Sequence, residues 1–132
     1  MLKEMVSSYP VLQFYDPSLP TKILTDASKD GLGAVLLQLH GEMWKPVSFA
    51  SRALLDAGKN YARIEKELLS IVYGCQRFHQ FIHGASIQAE TDHKPLENLF
   101  QKSLVDCPLR IQKMMLKPQK YDLEVKYVLE NF

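Results

Sequence analysis

The chain has 132 residues, 46% of them apolar and 23% charged, which is the composition of an ordinary globular protein with one domain and one core. Its formal net charge of +1 indicates no particular partner, so a nucleic-acid partner would need a local basic patch. Two cysteines exclude a disulfide framework and no apolar run approaches the roughly 20 residues of a membrane span, so we expect an intracellular protein, cytoplasmic or nuclear and not secreted.

The first half of the chain has the pattern of a strand meander. Residues 1–20 are a lead-in, because prolines and a turn-forming stretch interrupt any regular element there. Three strand-like runs follow, one from residue 22, one over 34–39 and one over 43–51. Tight turns join them, so the three runs predict an antiparallel meander.

The spacing of the apolar residues then changes. From Tyr61 to Ile82 they recur every third or fourth residue, which predicts one long helix, and Gly84 is placed to end it. The run Ser86–Thr91 predicts a fourth strand. Because this strand follows a helix, it can return parallel to an earlier one.

The last third of the chain predicts two short helices and a final strand. The helices cover residues 95–100 and 109–117, and alternation of apolar and charged residues over 121–127 is typical of a half-exposed strand. Taken together, the elements predict an α/β domain over residues 21–128, followed by a tail at 129–132.

Three acidic residues occupy positions that could bring them together. Asp26 and Asp92 each stand at the end of a predicted strand, and parallel neighbouring strands would place both at the same sheet edge. Glu67 borders the apolar stripe of the long helix and can point toward the sheet.

Converging carboxylates repel one another, and a divalent cation removes that repulsion. Ligand sets made only of oxygen suit Mg²⁺ or Mn²⁺, and two such ions can activate a water and stabilise the leaving oxygen of a phosphodiester. The alternative for each acid alone is a turn, a helix cap or a solvated charge. The agreement of all three positions favours the metal site.

Six sequence segments carry a further signal through their order and spacing. They are TDAS at 25–28, GLGAVL at 31–36, VSFASR at 47–52, NY at 60–61 with EKELLSIV at 65–72, TDHKPL at 91–96 and YDLEVKYV at 121–128. Across residues 9–128 the chain resembles the ribonuclease H-like domain of reverse transcriptase from gypsy-type long-terminal-repeat retroelements. The lead-in around residues 10–14 resembles the segment that links the polymerase to this domain.

The resemblance implies a ribonuclease H-like fold, with a five-stranded mixed sheet in the order 3-2-1-4-5 and helices packed on it. It implies hydrolysis of the RNA strand of RNA–DNA hybrids with two Mg²⁺ ions, for which Mn²⁺ can substitute. By motif, Asp26 is the first catalytic carboxylate and bridges both ions, Glu67 rather than Glu65 is the second, and Asp92 is the third. It also implies an upstream polymerase domain.

One departure from the family pattern limits the expected activity. The family continues past the fifth strand into a final helix that carries a fourth catalytic aspartate, whereas this sequence stops at Phe132. We therefore expect the final helix to be missing and hydrolysis by this chain alone to be weak or lost. The alternative is a retroelement-derived domain that binds nucleic acid or protein without catalysis.

Basic and aromatic residues outside the acidic set allow two interpretations each. Arg110, Lys113, Lys117 and Lys120 could bind the phosphates of the hybrid or form a solvated face, and His93 could contact substrate or bond locally. The first three basic residues would share one face of a helix. His79 and His83 could chelate a metal, but no third ligand is evident, so a surface pair is the better interpretation.

Overall fold

The computed structural model describes residues 13–101 and 107–128. Within this part of the chain, strands form one sheet in the order β3-β2-β1-β4-β5. Their bounds are β1 Thr21–Ala27, β2 Gly31–His40, β3 Met43–Ala53, β4 Ser86–Thr91 and β5 Asp122–Tyr127. The first three strands are antiparallel, whereas β4 runs parallel to both β1 and β5. The predicted meander, the parallel return of the fourth strand and the strand order are all confirmed.

The helices lie between these strands along the chain. They are α1 Asp56–Lys59, α2 Arg63–Arg77, α3 His79–Ile82, α4 Lys94–Phe100 and α5 Leu109–Met115, and a 3₁₀ turn spans Pro118–Lys120. None of the described helices is long and apolar enough to cross a membrane.

The predicted long helix is in fact two helices, α2 and α3. They meet at Phe78, whose φ of −107° and ψ of 17° leave the helical region. The apolar spacing did not reveal this break, because Phe78 and Ile82 both stay buried in the core. The helix predicted to reach residue 117 also ends earlier, at Met115. Pro118 has no N–H with which to continue the helical hydrogen bonds.

Helix α2 packs closely across β1 and β2, and this contact places the acidic site. Its buried stripe contains Leu68, Ile71 and Cys75, so Cys75 is the buried small residue that the pattern predicts. A side chain at Gly74 would lie 3.3 Å from Ile23 and 3.4 Å from Ala34, which shows how near the helix comes to the sheet. Glu67 lies two turns before Gly74 and is held over the same sheet.

The buried amide of Gln38 fastens the end of the lead-in to the sheet. Its Oε1 accepts a hydrogen bond from the Asp16 backbone N–H at 2.9 Å, and its Nε2 donates to the Asp16 carbonyl at 2.7 Å and to Thr21 Oγ1 at 2.9 Å. The Tyr15 hydroxyl donates to the Phe81 carbonyl at 2.8 Å. The described part of the lead-in is therefore attached to the domain. Residues 1–12 and the tail at 129–132 lie outside the described residues, so the domain bounds stay predictions.

Replacing Gln38 with methionine, which has a similar volume, should lower the free energy of unfolding by about 2 kcal/mol. The variant loses three hydrogen bonds and leaves buried partners unpaired. Urea denaturation would measure the change, with Gln80→Met as the control because Gln80 is exposed on α3. Equal stability of the two variants would show that the hydrogen bonds of Gln38 contribute nothing to the stability of the fold.

Candidate metal centre

The structure brings the three predicted acids together at one edge of the sheet. Asp26 is the penultimate residue of β1, and Asp92 directly follows β4. Because these strands are parallel neighbours, both side chains reach the same edge. Glu67 approaches from the second turn of α2. One carboxylate oxygen from each residue lies within 4.8 Å of the others.

Burial and the neighbouring negative charges perturb the pKa of Glu67. Glu67 is only 2% exposed. Desolvation by burial raises its pKa from 4.5 to about 8, and the negative charges of Asp92 and Asp26 act in the same direction. The positive charge of Arg63 and a hydrogen bond from the Ala27 backbone oppose the rise. Without a cation, Glu67 is therefore protonated at neutral pH.

Two buried oxygens of the cluster have no hydrogen-bond partner among the described residues: Glu67 Oε2 and Asp92 Oδ1. Buried oxygens of this kind destabilise a protein unless a donor or a cation satisfies them. All the donor atoms that converge here are carboxylate oxygens, which is the ligand chemistry that hard divalent cations prefer. The residues therefore fit a bound divalent ion.

Positive charge borders the cluster on the side of the α2 N-terminus. Arg63 acts electrostatically on both Glu67 and His93, and the pKa of His93 is lowered by burial first and by Arg63 second. An adjoining cavity of about 250 Å³ is lined by Ala27, Ser28, Lys29, Tyr61, Arg63, Lys66 and Glu67. The sequence prediction missed Arg63. Its position four residues before Glu67, on the same helical face, was the available signal.

The predicted basic face is divided in the structure. Arg110 forms an ion pair with Glu65 at 3.3 Å and lies 4.7 Å from the Tyr61 ring centroid. Glu65 also accepts a hydrogen bond from the Ala62 N–H, so its carboxylate serves the start of α2 and not the acidic cluster. Lys113 is exposed on α5. Nucleic-acid binding by Arg110, Lys113 and His93 stays a prediction.

The remaining predicted residues lie at the other end of α2. Lys117 directly precedes the 3₁₀ turn beyond α5, and Lys120 is the last residue of that turn. His79 and His83 are exposed, with ring centroids 4.9 Å apart, as expected for a surface pair. His79 Nδ1 lies 2.6 Å from the Tyr121 hydroxyl, so one of its nitrogens is already engaged.

Comparisons with known proteins agree with this architecture. The sequence model of the family described as "RNase H-like domain found in reverse transcriptase" matches residues 16–121. The Pol polyprotein of transposon 412 from Drosophila melanogaster is 35% identical over 96% of this chain and 10% of its own length. That of transposon gypsy, from the same organism, is 39% identical over 70% of this chain and 9% of its own length. The chain thus spans about a tenth of these relatives.

A solved structure supports the fold. The foamy viral protease-reverse transcriptase in complex with an RNA/DNA hybrid superimposes with a TM-score of 0.61, at 16% identity, over 98% of this chain and 18% of the other. At this identity the likeness concerns the fold alone. The extent of the family match is decisive, and the chain belongs to the family of RNase H-like domains found in reverse transcriptases.

Proposed function

We propose that this domain hydrolyses the RNA strand of RNA–DNA hybrids, using Mg²⁺ or Mn²⁺ held by Asp26, Glu67 and Asp92. The observation that carries the proposal is the cluster itself, whose carboxylate oxygens lie within 4.8 Å of one another. Two of its oxygens are buried without a partner among the described residues. A divalent cation would offset the repulsion among these carboxylates and satisfy the two buried oxygens.

The three acids have a common task, which is to bind the divalent cation and hold it at the sheet edge. When bound, such a cation supplies Lewis-acid activation of water and offsets the charge that develops on a phosphodiester. Arg63 and the lysines of the adjoining cavity, Lys29 and Lys66, add positive charge beside the acids. This charge favours the approach of a polyanion to a site that is otherwise acidic.

The choice of hybrid as substrate rests on the family and on its foamy viral neighbour, which was solved with an RNA/DNA hybrid. The match to a tenth of two Pol polyproteins supports a place for this domain in a longer chain that also contains a polymerase. Recognition of a hybrid through its shape and backbone requires no reading of the base sequence.

The test is a cleavage assay on an end-labelled RNA annealed to DNA, with RNA–RNA and DNA–DNA duplexes of the same sequence as controls. We expect weak cleavage of the RNA in the hybrid alone, in Mg²⁺ or Mn²⁺, and none in EDTA. Cleavage that persists in EDTA would contradict the proposal. Tight hybrid binding without cleavage in either metal would favour the non-catalytic alternative.

A further inference from the structure

A second cavity, of about 410 Å³, lies at the end of α2 away from the carboxylates. Its lining residues come from the end of α2, the start of α3 and the 3₁₀ turn, and they are Cys75, Gln76, His79, Lys117, Lys120 and Tyr121. Cys75 is eight positions after Glu67, and at 1.5 Å per residue this is about 12 Å along the helix. The cavity is therefore distinct from the metal centre.

Lys117 and Lys120 place two positive charges on the same side of the 3₁₀ turn. Its hydrogen bond runs from the Lys120 N–H to the Lys117 carbonyl at 3.1 Å. Side chains three residues apart are eclipsed in a 3₁₀ turn, so both lysines extend to the same side. Both are exposed, and neither forms an ion pair with any residue that the structure describes. Two positive charges on the wall of one cavity favour a bound anion.

Two of the other lining groups, Tyr121 and Cys75, are uncharged at neutral pH. Burial raises the pKa of Tyr121, so its hydroxyl keeps its proton at neutral pH. Burial also raises the pKa of the Cys75 thiol to about 12, which keeps the thiol uncharged. Gln76 adds an amide, and no acidic residue is among the described residues that line the cavity. The chemistry of the wall selects against cations and favours an oxyanion with several acceptors.

We propose that this cavity binds a phosphate group through Lys117 and Lys120, with Gln76 as a neutral partner. The phosphate can belong to the backbone of a hybrid, a source that rests on the proposed function, or to a free phosphate.

The first test measures hybrid affinity in EDTA across a series of NaCl concentrations, by fluorescence anisotropy and with the integrity of the RNA checked on a gel. Lys117→Met combined with Lys120→Met should weaken binding about 3- to 10-fold and reduce the slope of log K against log[salt] by about 1 to 2. The matched control is Lys59→Met combined with Lys126→Met, which removes two exposed lysines, on α1 and β5, that line neither cavity. An equal effect of the control would indicate diffuse charge and overturn the proposal.

The second test titrates the protein with inorganic phosphate, at an ionic strength held constant with chloride, and follows backbone amide signals by NMR. Saturable shifts at Gln76, Lys120 and Tyr121 that vanish in the double variant would show that the cavity accepts free phosphate. A fall in the salt slope without these shifts would assign the cavity to backbone phosphate. The proposal would be overturned if neither effect occurs, or if the lysine variants only lose folding stability. The lysine variants leave the carboxylates intact, so failure here does not affect the test of hydrolysis.

Discussion

Replacing Asp26 with asparagine is expected to reduce hydrolysis of the hybrid at least about 1000-fold in Mg²⁺, which corresponds to about 4 kcal/mol of activation free energy. Asparagine keeps the size of the side chain and one acceptor oxygen, but it removes the negative charge. Asp26 lies within 4.8 Å of the other two acids, so the charge is lost where the cation would bind. Cleavage rates under single-turnover conditions would measure the effect.

A metal-binding measurement makes the same prediction independent of the rate of hydrolysis. Calorimetric titration with Mn²⁺ should show at least a tenfold loss of affinity in Asp26→Asn, since even changes outside the direct ligands cost about 10- to 100-fold. Asp30→Asn is the control, because Asp30 is exposed on the turn that follows β1 and is not a member of the cluster. Cleavage and Mn²⁺ binding that both survive Asp26→Asn would refute the site assignment.

The convergence of the acids was predictable because two simple periodicities determine it. A strand that returns after a helix can lie parallel to an earlier strand. The strand ends that carry Asp26 and Asp92 then lie at the same edge of the sheet. The helical stripe fixed the side of α2 on which Glu67 lies. Local pattern was sufficient for these three residues, because each one sits at a defined place in a regular element.

Contacts between residues distant in sequence were not predictable in this way. Gln38 is a polar residue in an apolar strand, and its partner, the Asp16 backbone, is 22 residues away in an irregular segment. Arg110 shows the same limit, because it is engaged by Glu65, which lies 45 residues earlier on α2, and by Tyr61, which lies in the segment just before that helix. The grouping of Lys117 with Lys120 depends on where α5 stops, and helix ends are the least certain feature of a periodic pattern.

The effect of replacing Glu67 with glutamine on the free energy of unfolding should reverse in sign with the cation. The variant should be the more stable protein in EDTA at high pH, and the original protein should gain more stability from Mg²⁺. In EDTA the folded protein holds a proton on Glu67 up to a pKa of about 8, whereas the unfolded chain releases it near 4.5. A group whose pKa is raised by folding stabilises the fold fully below its unfolded value, and this contribution is lost as pH rises through the folded value. The free energy of unfolding of the original protein should therefore fall between pH 4.5 and pH 8.

The glutamine variant has no carboxyl group to titrate at position 67, so its free energy of unfolding should show no such fall. At pH 8.5 in EDTA it should be more stable than the original protein by at most about 5 kcal/mol, since one pKa unit corresponds to about 1.4 kcal/mol. Adding Mg²⁺ should stabilise the original protein, because the cation favours the ionised carboxylate and binds only the folded state. The variant should gain much less, because it has lost a charged ligand.

Urea denaturation at several pH values, with and without Mg²⁺, would test both halves of this reversal. Glu65→Gln is the matched control, since it removes a carboxylate two residues away that pairs with Arg110 and does not belong to the cluster. That control should lose a little stability at every pH and keep the full response to Mg²⁺. A Glu67→Gln variant that loses stability with rising pH as steeply as the original protein would show that burial of this carboxyl group does not govern the pH dependence. An equal response to Mg²⁺ would show that Glu67 is not a ligand, because binding energy reaches the folded state only through the groups that hold the ion.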